Sequence, residues 1–229
     1  MNPTKQKASV FMQEIKAVIF DAGGVLLKGT ARHFHAAVGK RLCAKPAIKK
    51  AGRIPLYKQI NLGKISLKEM LEKIYPKASK KQKKEILLLW NEAWPTDKAM
   101  VALVKKLQKQ YIVSMISNND PVHEKRMRKE GVLALFEKPV LSHRVGLLKP
   151  DKKIFVLALK RLGLKAQECV FIDDTKRNTA VAKKLGFKAI HFKNKQQCEN
   201  ELKKLLHYNK KGLRIAAGTM PSNETKKTF

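Results

Sequence analysis

Asp21 is the residue of this sequence best placed to act as a nucleophile. It directly follows the apolar run Ile15–Phe20 and precedes Ala22, Gly23 and Gly24. A buried strand that ends in a glycine turn leaves such a carboxylate at the edge of a sheet, where it is free to attack an electrophile. An aspartate at a strand–helix junction also commonly caps the next helix, so Asp21 by itself leaves both roles open.

Two further carboxylates, Asp173 and Asp174, follow a second apolar run, and Asn178 lies four residues beyond Asp174. Adjacent carboxylates at a strand end are costly unless a cation neutralises them. Oxygen ligands at this density, with open positions for water, suit Mg²⁺. The alternative is a helix N-terminus that carries acidic residues, which accounts for one aspartate better than for two. The pair therefore predicts a magnesium site.

Ser117, Asn118 and Lys149 complete the set of candidate site residues. Ser117 closes a third apolar run, where its hydroxyl and the backbone N–H of Asn118 can bind phosphate oxygens. Lys149 provides a fixed cation, followed by Pro150, which restricts the backbone, and by Asp151, which is suited to begin a helix. A surface lysine at a helix start is the alternative interpretation of Lys149 when it is considered in isolation.

Five short apolar runs predict the strands that position these residues: Ile15–Phe20, Tyr111–Ile116, Pro139–Leu141, Cys169–Ile172 and Ala189–Phe192. Helical patterns lie between them at Ala99–Gln110, Lys152–Leu162 and Asn178–Leu185. This alternation predicts an α/β fold with a doubly wound parallel sheet. Ligands of such sheets bind at the carboxyl ends of the strands, where the polar residues above are found.

The first and second strands are separated by about ninety residues, too many for one crossover helix. Residues 28–93 contain helical patterns at Ala31–Leu42, Ser66–Ile74 and Lys80–Trp90. We interpret residues 28–93 as an inserted helical cap, called the cap segment below. Residues 1–27 and 94–208 are predicted to form the core. Residues 209–229, which are polar and basic, are predicted to be a disordered tail.

These motifs together resemble the haloacid dehalogenase (HAD) superfamily. FDAGGVLL resembles its first motif, ISNN its second, the Lys149-Pro150 region its third and FIDDTKRN its fourth. INLGKISLKEMLEKI in the cap segment resembles members with a small helical cap. The resemblance extends over residues 14–207, and four motifs in the right order are far more specific than any one of them.

The resemblance implies a Rossmann-like core and a phosphatase-like hydrolase whose Asp21 becomes transiently phosphorylated. It implies that Asp21, the backbone carbonyl of Gly23 and Asp174 hold Mg²⁺, with Asp173 or Asn178 nearby. Ser117 and Lys149 would stabilise the transferring phosphoryl group. Asn118 is assigned to substrate binding beside them.

One position departs from the family pattern. Most phosphatases of the superfamily carry a second aspartate two residues after the nucleophile, as a general acid and base, but this position is Gly23. A Mg²⁺-dependent phosphatase for a small phosphorylated metabolite is nevertheless favoured, because Asp173 and Asp174 imply a metal that dehalogenation does not need. The alternatives are a 2-haloacid dehalogenase and a catalytically impaired binding protein, which could be associated with nucleic acid.

The composition is strongly basic. The 229 residues include 50 Lys and Arg against 18 Asp and Glu, a net charge of +32. Because these charges are spread along the whole chain and do not form one basic arm with interleaved aromatic residues, we expect nucleic-acid binding to be at most non-specific. The three scattered cysteines, the lack of a membrane-length apolar run and the lack of a secretory signal predict a soluble, cytoplasmic protein. The sequence does not indicate an oligomeric state.

Overall fold

The computed structural model describes residues 14–206 and contains a five-stranded parallel sheet. The strands are β1 (Ala17–Phe20), β2 (Ile112–Ser117), β3 (Val140–Leu141), β4 (Cys169–Asp173) and β5 (Lys188–His191). Their order in the sheet is β3-β2-β1-β4-β5. Each neighbouring pair is parallel, which confirms the predicted α/β fold. The predicted disordered tail, residues 209–229, lies outside the described residues.

The central strand β1 and its neighbour β4 are apolar because both of their faces are buried. Val18 and Phe20 of β1 point into one core cluster, and Ala17 and Ile19 point into another. β4 alternates between the same two clusters, so that every one of its side chains is buried. Helices therefore cover both sides of the sheet, as parallel strands require.

The strand register brings the candidate site residues to one edge. Phe20 at the end of β1 pairs with Met115 of β2 and with Ile172 of β4. The next residues along the three strands, which include Asp21, Ser117 and Asp173, consequently lie at the carboxyl edge of the sheet. This is the edge at which parallel α/β sheets bind ligands.

Ten α-helices are found within residues 14–206. They are α1 (Ala31–Leu42), α2 (Lys50–Asn61), α3 (Leu67–Ile74), α4 (Lys80–Glu92), α5 (Lys98–Leu107), α6 (Pro121–Lys129), α7 (Ser142–Val145), α8 (Lys152–Leu162), α9 (Lys176–Lys184) and α10 (Lys195–Leu205). The sequence patterns anticipated six of them. The helix α3 illustrates why, since Ser66 and Glu69 form a reciprocal capping box at its start.

The cap segment contributes four helices between β1 and β2. The helices α1 to α4 enclose their own apolar cluster, with Phe34, Met70, Ile74 and Trp90 among its buried members. The division of the chain into core and cap at residues 28 and 93 stays a prediction. The cysteines Cys43, Cys169 and Cys198 are free thiols.

Candidate active site

Asp21 lies directly beyond β1, at the carboxyl edge of the sheet. Its backbone N–H continues the ladder by donating to the carbonyl of Ile172 at 2.8 Å, so the strand geometry fixes where the side chain begins. The residue is only 7% exposed. One of its oxygens, Oδ1, lies 2.8 Å from Nζ of Lys149. The carboxylate is therefore buried at the sheet edge and faces a cation.

Lys149 joins Asp21 to the end of β4. Its side chain is almost fully buried, and its Nζ lies 2.7 Å from Oδ2 of Asp173. Burial disfavours the charged form of Lys149, but the carboxylates of Asp21 and Asp173 outweigh that effect and raise its pKa. The two carboxylates therefore favour the charged, ammonium form of Lys149. Lys149 is thus buried between two carboxylates and is not a surface lysine, while its role toward a substrate stays a prediction.

Asp173 is fully buried and its oxygens are already hydrogen-bonded. Besides Lys149, the side-chain amide of Asn178 lies 3.0 Å from both carboxylate oxygens. The backbone N–H of Thr175 donates to Oδ1 at 2.8 Å. Asn178 thus acts within the described site by orienting Asp173. Asp173 is the better-anchored member of the predicted metal pair, and its neighbour Asp174 is the more accessible one.

Asp174 is exposed and approaches the turn that follows Asp21. Oxygen atoms of Asp21, Asp173 and Asp174 lie within 4.8 Å of one another. The approach depends on Gly24, because a Cβ built there would lie 2.1 Å from Oδ2 of Asp174. Gly24 also has a φ of +73°, which favours glycine. The sequence predicted the turn but carried no signal for this long-range contact.

The electrostatics of the cluster suit a divalent cation. Burial raises the pKa of Asp21 to about 7, with Lys149 opposing this shift and the charges of Asp173 and Asp174 adding to it. Burial and the neighbouring Asp173 also raise the pKa of Asp174. Among residues 14–206, Lys149 is the one cation in ion-pair contact with these carboxylates. The surplus negative charge and the oxygen donors fit Mg²⁺.

Ser117 ends β2 beside this cluster, and Asn118 directly follows it. Ser117 is buried and pairs with Leu141 of β3. The side chain of Asn118 contacts both main-chain polar groups of Lys149. Its Oδ1 lies 2.8 Å from Lys149 N, and its Nδ2 lies 3.0 Å from Lys149 O. The structure therefore brings all seven predicted site residues to one edge of the sheet, and the Asn118–Lys149 contact is one that the sequence did not predict.

Gly23 lies in the turn between Asp21 and Gly24. Its backbone is outside the left-handed region, and no heavy atom of the described residues lies within 4 Å of a Cβ built on it. The backbone of Gly23 forms a bridge to Leu27, which in turn bridges to Thr96. A Cβ at position 23 therefore meets no steric obstacle from the described residues beyond its two chain neighbours.

The cap segment contacts the loops that carry these residues. The hydroxyl of Ser142 donates to the carbonyl of Asn61 in the cap segment at 2.6 Å, and it accepts from the backbone N–H of Asn119 at 2.9 Å. The indole N–H of Trp90 donates to Asp120 at 3.3 Å. Asn119 and Asp120 directly follow the Ser117–Asn118 pair. Sequence reasoning missed these docking residues, because nothing in the local sequence identifies a contact between distant segments.

Comparisons with known proteins agree with this geometry. A model of the haloacid dehalogenase-like hydrolases matches residues 15–186. The D-ribitol-5-phosphate phosphatase of Bacteroides thetaiotaomicron is 25% identical over 207 residues, which cover 84% of this chain and 99% of that protein. Acyl-CoA dehydrogenase family member 10 of Mus musculus is 38% identical over 73 residues, which cover 32% of this chain but only 7% of that protein.

A solved structure gives the same result for the fold. A HAD family enzyme of Bacteroides thetaiotaomicron, in complex with magnesium and inorganic phosphate, matches with a TM-score of 0.68 and 26% identity. The match covers 78% of this chain and 94% of that one. Within residues 14–206, the helices are all too short or too polar to cross a membrane.

Proposed function

The chain belongs to the haloacid dehalogenase-like hydrolase family, and on this premise we propose that it is a Mg²⁺-dependent phosphatase. It hydrolyses a small phosphorylated metabolite through a phospho-aspartyl intermediate on Asp21. The observation that carries the proposal is the convergence of Asp21, Asp173 and Asp174 within 4.8 Å, with Lys149 in contact with two of them. A metal-independent reaction gives no reason to hold three carboxylates so close together.

The metal would be held by Asp21, the backbone carbonyl of Gly23 and Asp174, with Asp173 beside them. When bound, Mg²⁺ supplies positive charge that neutralises the phosphoryl oxygens and the carboxylate cluster. Asp173 fits a supporting position, because Lys149, Asn178 and Thr175 already donate to its oxygens. Asp174 fits a direct ligand, because it is exposed and has few partners among the described residues.

Asp21 begins the reaction as a carboxylate. One of its oxygens attacks phosphorus as the bond from phosphorus to the leaving oxygen breaks, and the leaving oxygen takes a proton from water. Water then attacks phosphorus and releases inorganic phosphate and the free carboxylate. Lys149 and Ser117 stabilise the charge on the transferring phosphoryl group in both steps. Burial of Asp21 and Lys149 strengthens these interactions, because little water screens them.

The relatives suggest which substrates to test first. The Bacteroides enzyme that aligns over most of this chain is a D-ribitol-5-phosphate phosphatase. Phosphorylated polyols and sugars are therefore the first compounds to assay. The cap segment carries 17 Lys and Arg against 4 acidic residues. This excess of positive charge attracts dianionic substrates to the site.

A phosphate-release assay over a panel of polyol, sugar, aryl and acyl phosphates tests the proposal. Each compound is assayed with Mg²⁺ and with EDTA, using wild type and Asp21→Asn. We expect release that requires Mg²⁺ and is lost in Asp21→Asn, whose amide is nearly isosteric with the carboxylate. Chloride release from 2-chloropropionate without metal would instead identify a dehalogenase. The absence of both reactions would favour a catalytically impaired binding protein.

A further inference from the structure

Two hydrogen bonds connect the side chain of Asn118 to the main chain of Lys149. The amide oxygen accepts from the N–H of Lys149 at 2.8 Å, and the amide nitrogen donates to its carbonyl at 3.0 Å. The side chain thus satisfies both main-chain polar groups of one residue, as a neighbouring strand does in a sheet. A contact of this kind fixes the position and the orientation of the Lys149 backbone.

The backbone of Lys149 needs such support because it lies in a loop. It falls between α7, which ends at Val145, and α8, which begins at Lys152. No strand pairing within the described residues holds this stretch of chain. Yet its Nζ lies within 2.8 Å of both Asp21 and Asp173. A long lysine side chain reaches two buried carboxylates reproducibly only if its backbone is fixed.

The contact also limits what else Asn118 can do. The sequence motif suggested that Asn118 binds substrate. In the structure its oxygen and one of its two amide hydrogens are engaged by Lys149. The side chain of its neighbour Ser117, in contrast, makes no hydrogen bond to Lys149 among the described residues. The two adjacent residues therefore have separable roles, one toward the loop and one toward the phosphoryl group.

We propose that Asn118 is a positioning residue, which holds the Lys149 backbone so that its ammonium group stays between Asp21 and Asp173. This inference rests on the proposed function for its effect on turnover, but the positioning itself is a property of the folded protein. It assigns to Asn118 an action through Lys149 in place of direct contact with the substrate.

The first experiment is independent of activity. Lysine residues of the full chain are labelled by reductive methylation, and the extent of modification at each lysine is measured by mass spectrometry. Lys149 should be protected in wild type, since its side chain is 1% exposed. In Asn118→Ala its labelling should rise on the order of tenfold relative to the surface lysines, because the freed loop lets Nζ leave the site. Ser117→Ala, the adjacent control, should leave Lys149 protected.

The second experiment is a double-mutant cycle with Asn118→Ala and Lys149→Met. Asn118→Ala alone should lower kcat on the order of 10- to 100-fold, with KM and inhibition by inorganic phosphate changed less than about threefold. In the Lys149→Met background, the same substitution should change kcat less than about twofold, because its target is already absent. Asn118→Asp, which cannot donate to the Lys149 carbonyl and places a carboxylate against it, serves as the second variant if Asn118→Ala does not fold, with the same expected rise in Lys149 labelling.

Two results overturn the inference. One is a Lys149 that stays protected from methylation in folded Asn118→Ala and Asn118→Asp. The other is an Asn118 penalty that is equal in both backgrounds, or that appears in KM and phosphate inhibition with kcat unchanged, as a direct substrate contact requires. If wild type hydrolyses no phosphate ester, the proposed function fails while the methylation result still decides the positioning.

Discussion

Replacing Gly24 by alanine should displace Asp174 from the carboxylate cluster and leave the fold in place. A Cβ on Gly24 would lie 2.1 Å from Oδ2, 2.5 Å from Cγ and 3.2 Å from Cβ of Asp174. Oδ2 would have to withdraw by about 0.9 Å merely to reach 3.0 Å. Because Asp174 is exposed, rotation of its side chain relieves the overlap, and that rotation takes the carboxylate away from Asp21.

Two consequences of this substitution differ in size. Gly24 has a φ of +73°, where an alanine costs roughly 1–2 kcal/mol, a modest part of the stability of an ordinary domain. Changing a residue that determines how a metal ligand is oriented lowers metal affinity on the order of 10- to 100-fold, and Gly24 has this relation to Asp174. We therefore expect a Mg²⁺ affinity that falls by at least tenfold, with a protein that still unfolds cooperatively.

Gly23→Ala is the matched control for this experiment. It adds the same methyl group one residue earlier in the same turn, where the described residues leave 4 Å of space and the backbone is not left-handed. Mg²⁺ affinity is measured by calorimetric titration of wild type and both variants, and thermal unfolding is followed in parallel. An equal Mg²⁺ dissociation constant for Gly24→Ala and Gly23→Ala would refute the argument, because it would mean that Asp174 does not need to approach Gly24 to bind metal.

Three further predictions concern proton supply, stability and charge. Gly23→Asp introduces a general acid beside Asp21 and should raise turnover of alkyl phosphates, by up to roughly 10²–10⁴-fold, and flatten the dependence on leaving-group pKa; a shallow dependence already present in wild type would contradict this. Burial favours the neutral form of Glu124, but hydrogen bonds led by that of Arg144 hold its pKa at about 2. Glu124→Gln should therefore lower the free energy of unfolding by about 2–3 kcal/mol above pH 4.5. The difference in stability between wild type and variant should narrow as the pH falls toward 2, and a difference in their Tm values that is independent of pH would refute this. Binding of DNA or RNA to the basic surface should fall steeply with added salt, and tight binding at high salt would show a specific nucleic-acid site.

The sheet and the edge that carries the site could be predicted from the sequence for a simple physical reason. Strands buried on both faces must be apolar throughout, so β1 and β4 stand out as short apolar runs that end abruptly in aspartates. Parallel strands bring their carboxyl ends to one edge, so residues that follow separate runs must meet there. These two rules are sufficient to predict that Asp21, Asp173 and Asp174 meet at one edge of the sheet.

The elements that the sequence did not reveal depend on contacts between distant segments. The helix α2 contains Pro55, and proline in the interior of a helix is unfavourable. The burial of Leu56 and Ile60 in the apolar cluster of the cap segment stabilises this helix. The bonds from Asn118 to Lys149 cross 31 positions of sequence. Asp174 and Gly24 lie close together in space, although most of the core separates them in the sequence. Local patterns carry no record of such pairings, which the fold alone determines.

Covalent labelling of Asp21 during turnover tests the central claim most directly. The full chain is supplied with Mg²⁺ and a radiolabelled acyl phosphate, quenched in acid within a turnover, digested and mapped by peptide. The account predicts acid-stable label on the peptide that contains Asp21, no label when Mg²⁺ is replaced by EDTA, and none in Asp21→Asn. Turnover that proceeds without label at Asp21, or that persists undiminished in rigorously purified Asp21→Asn, would contradict it.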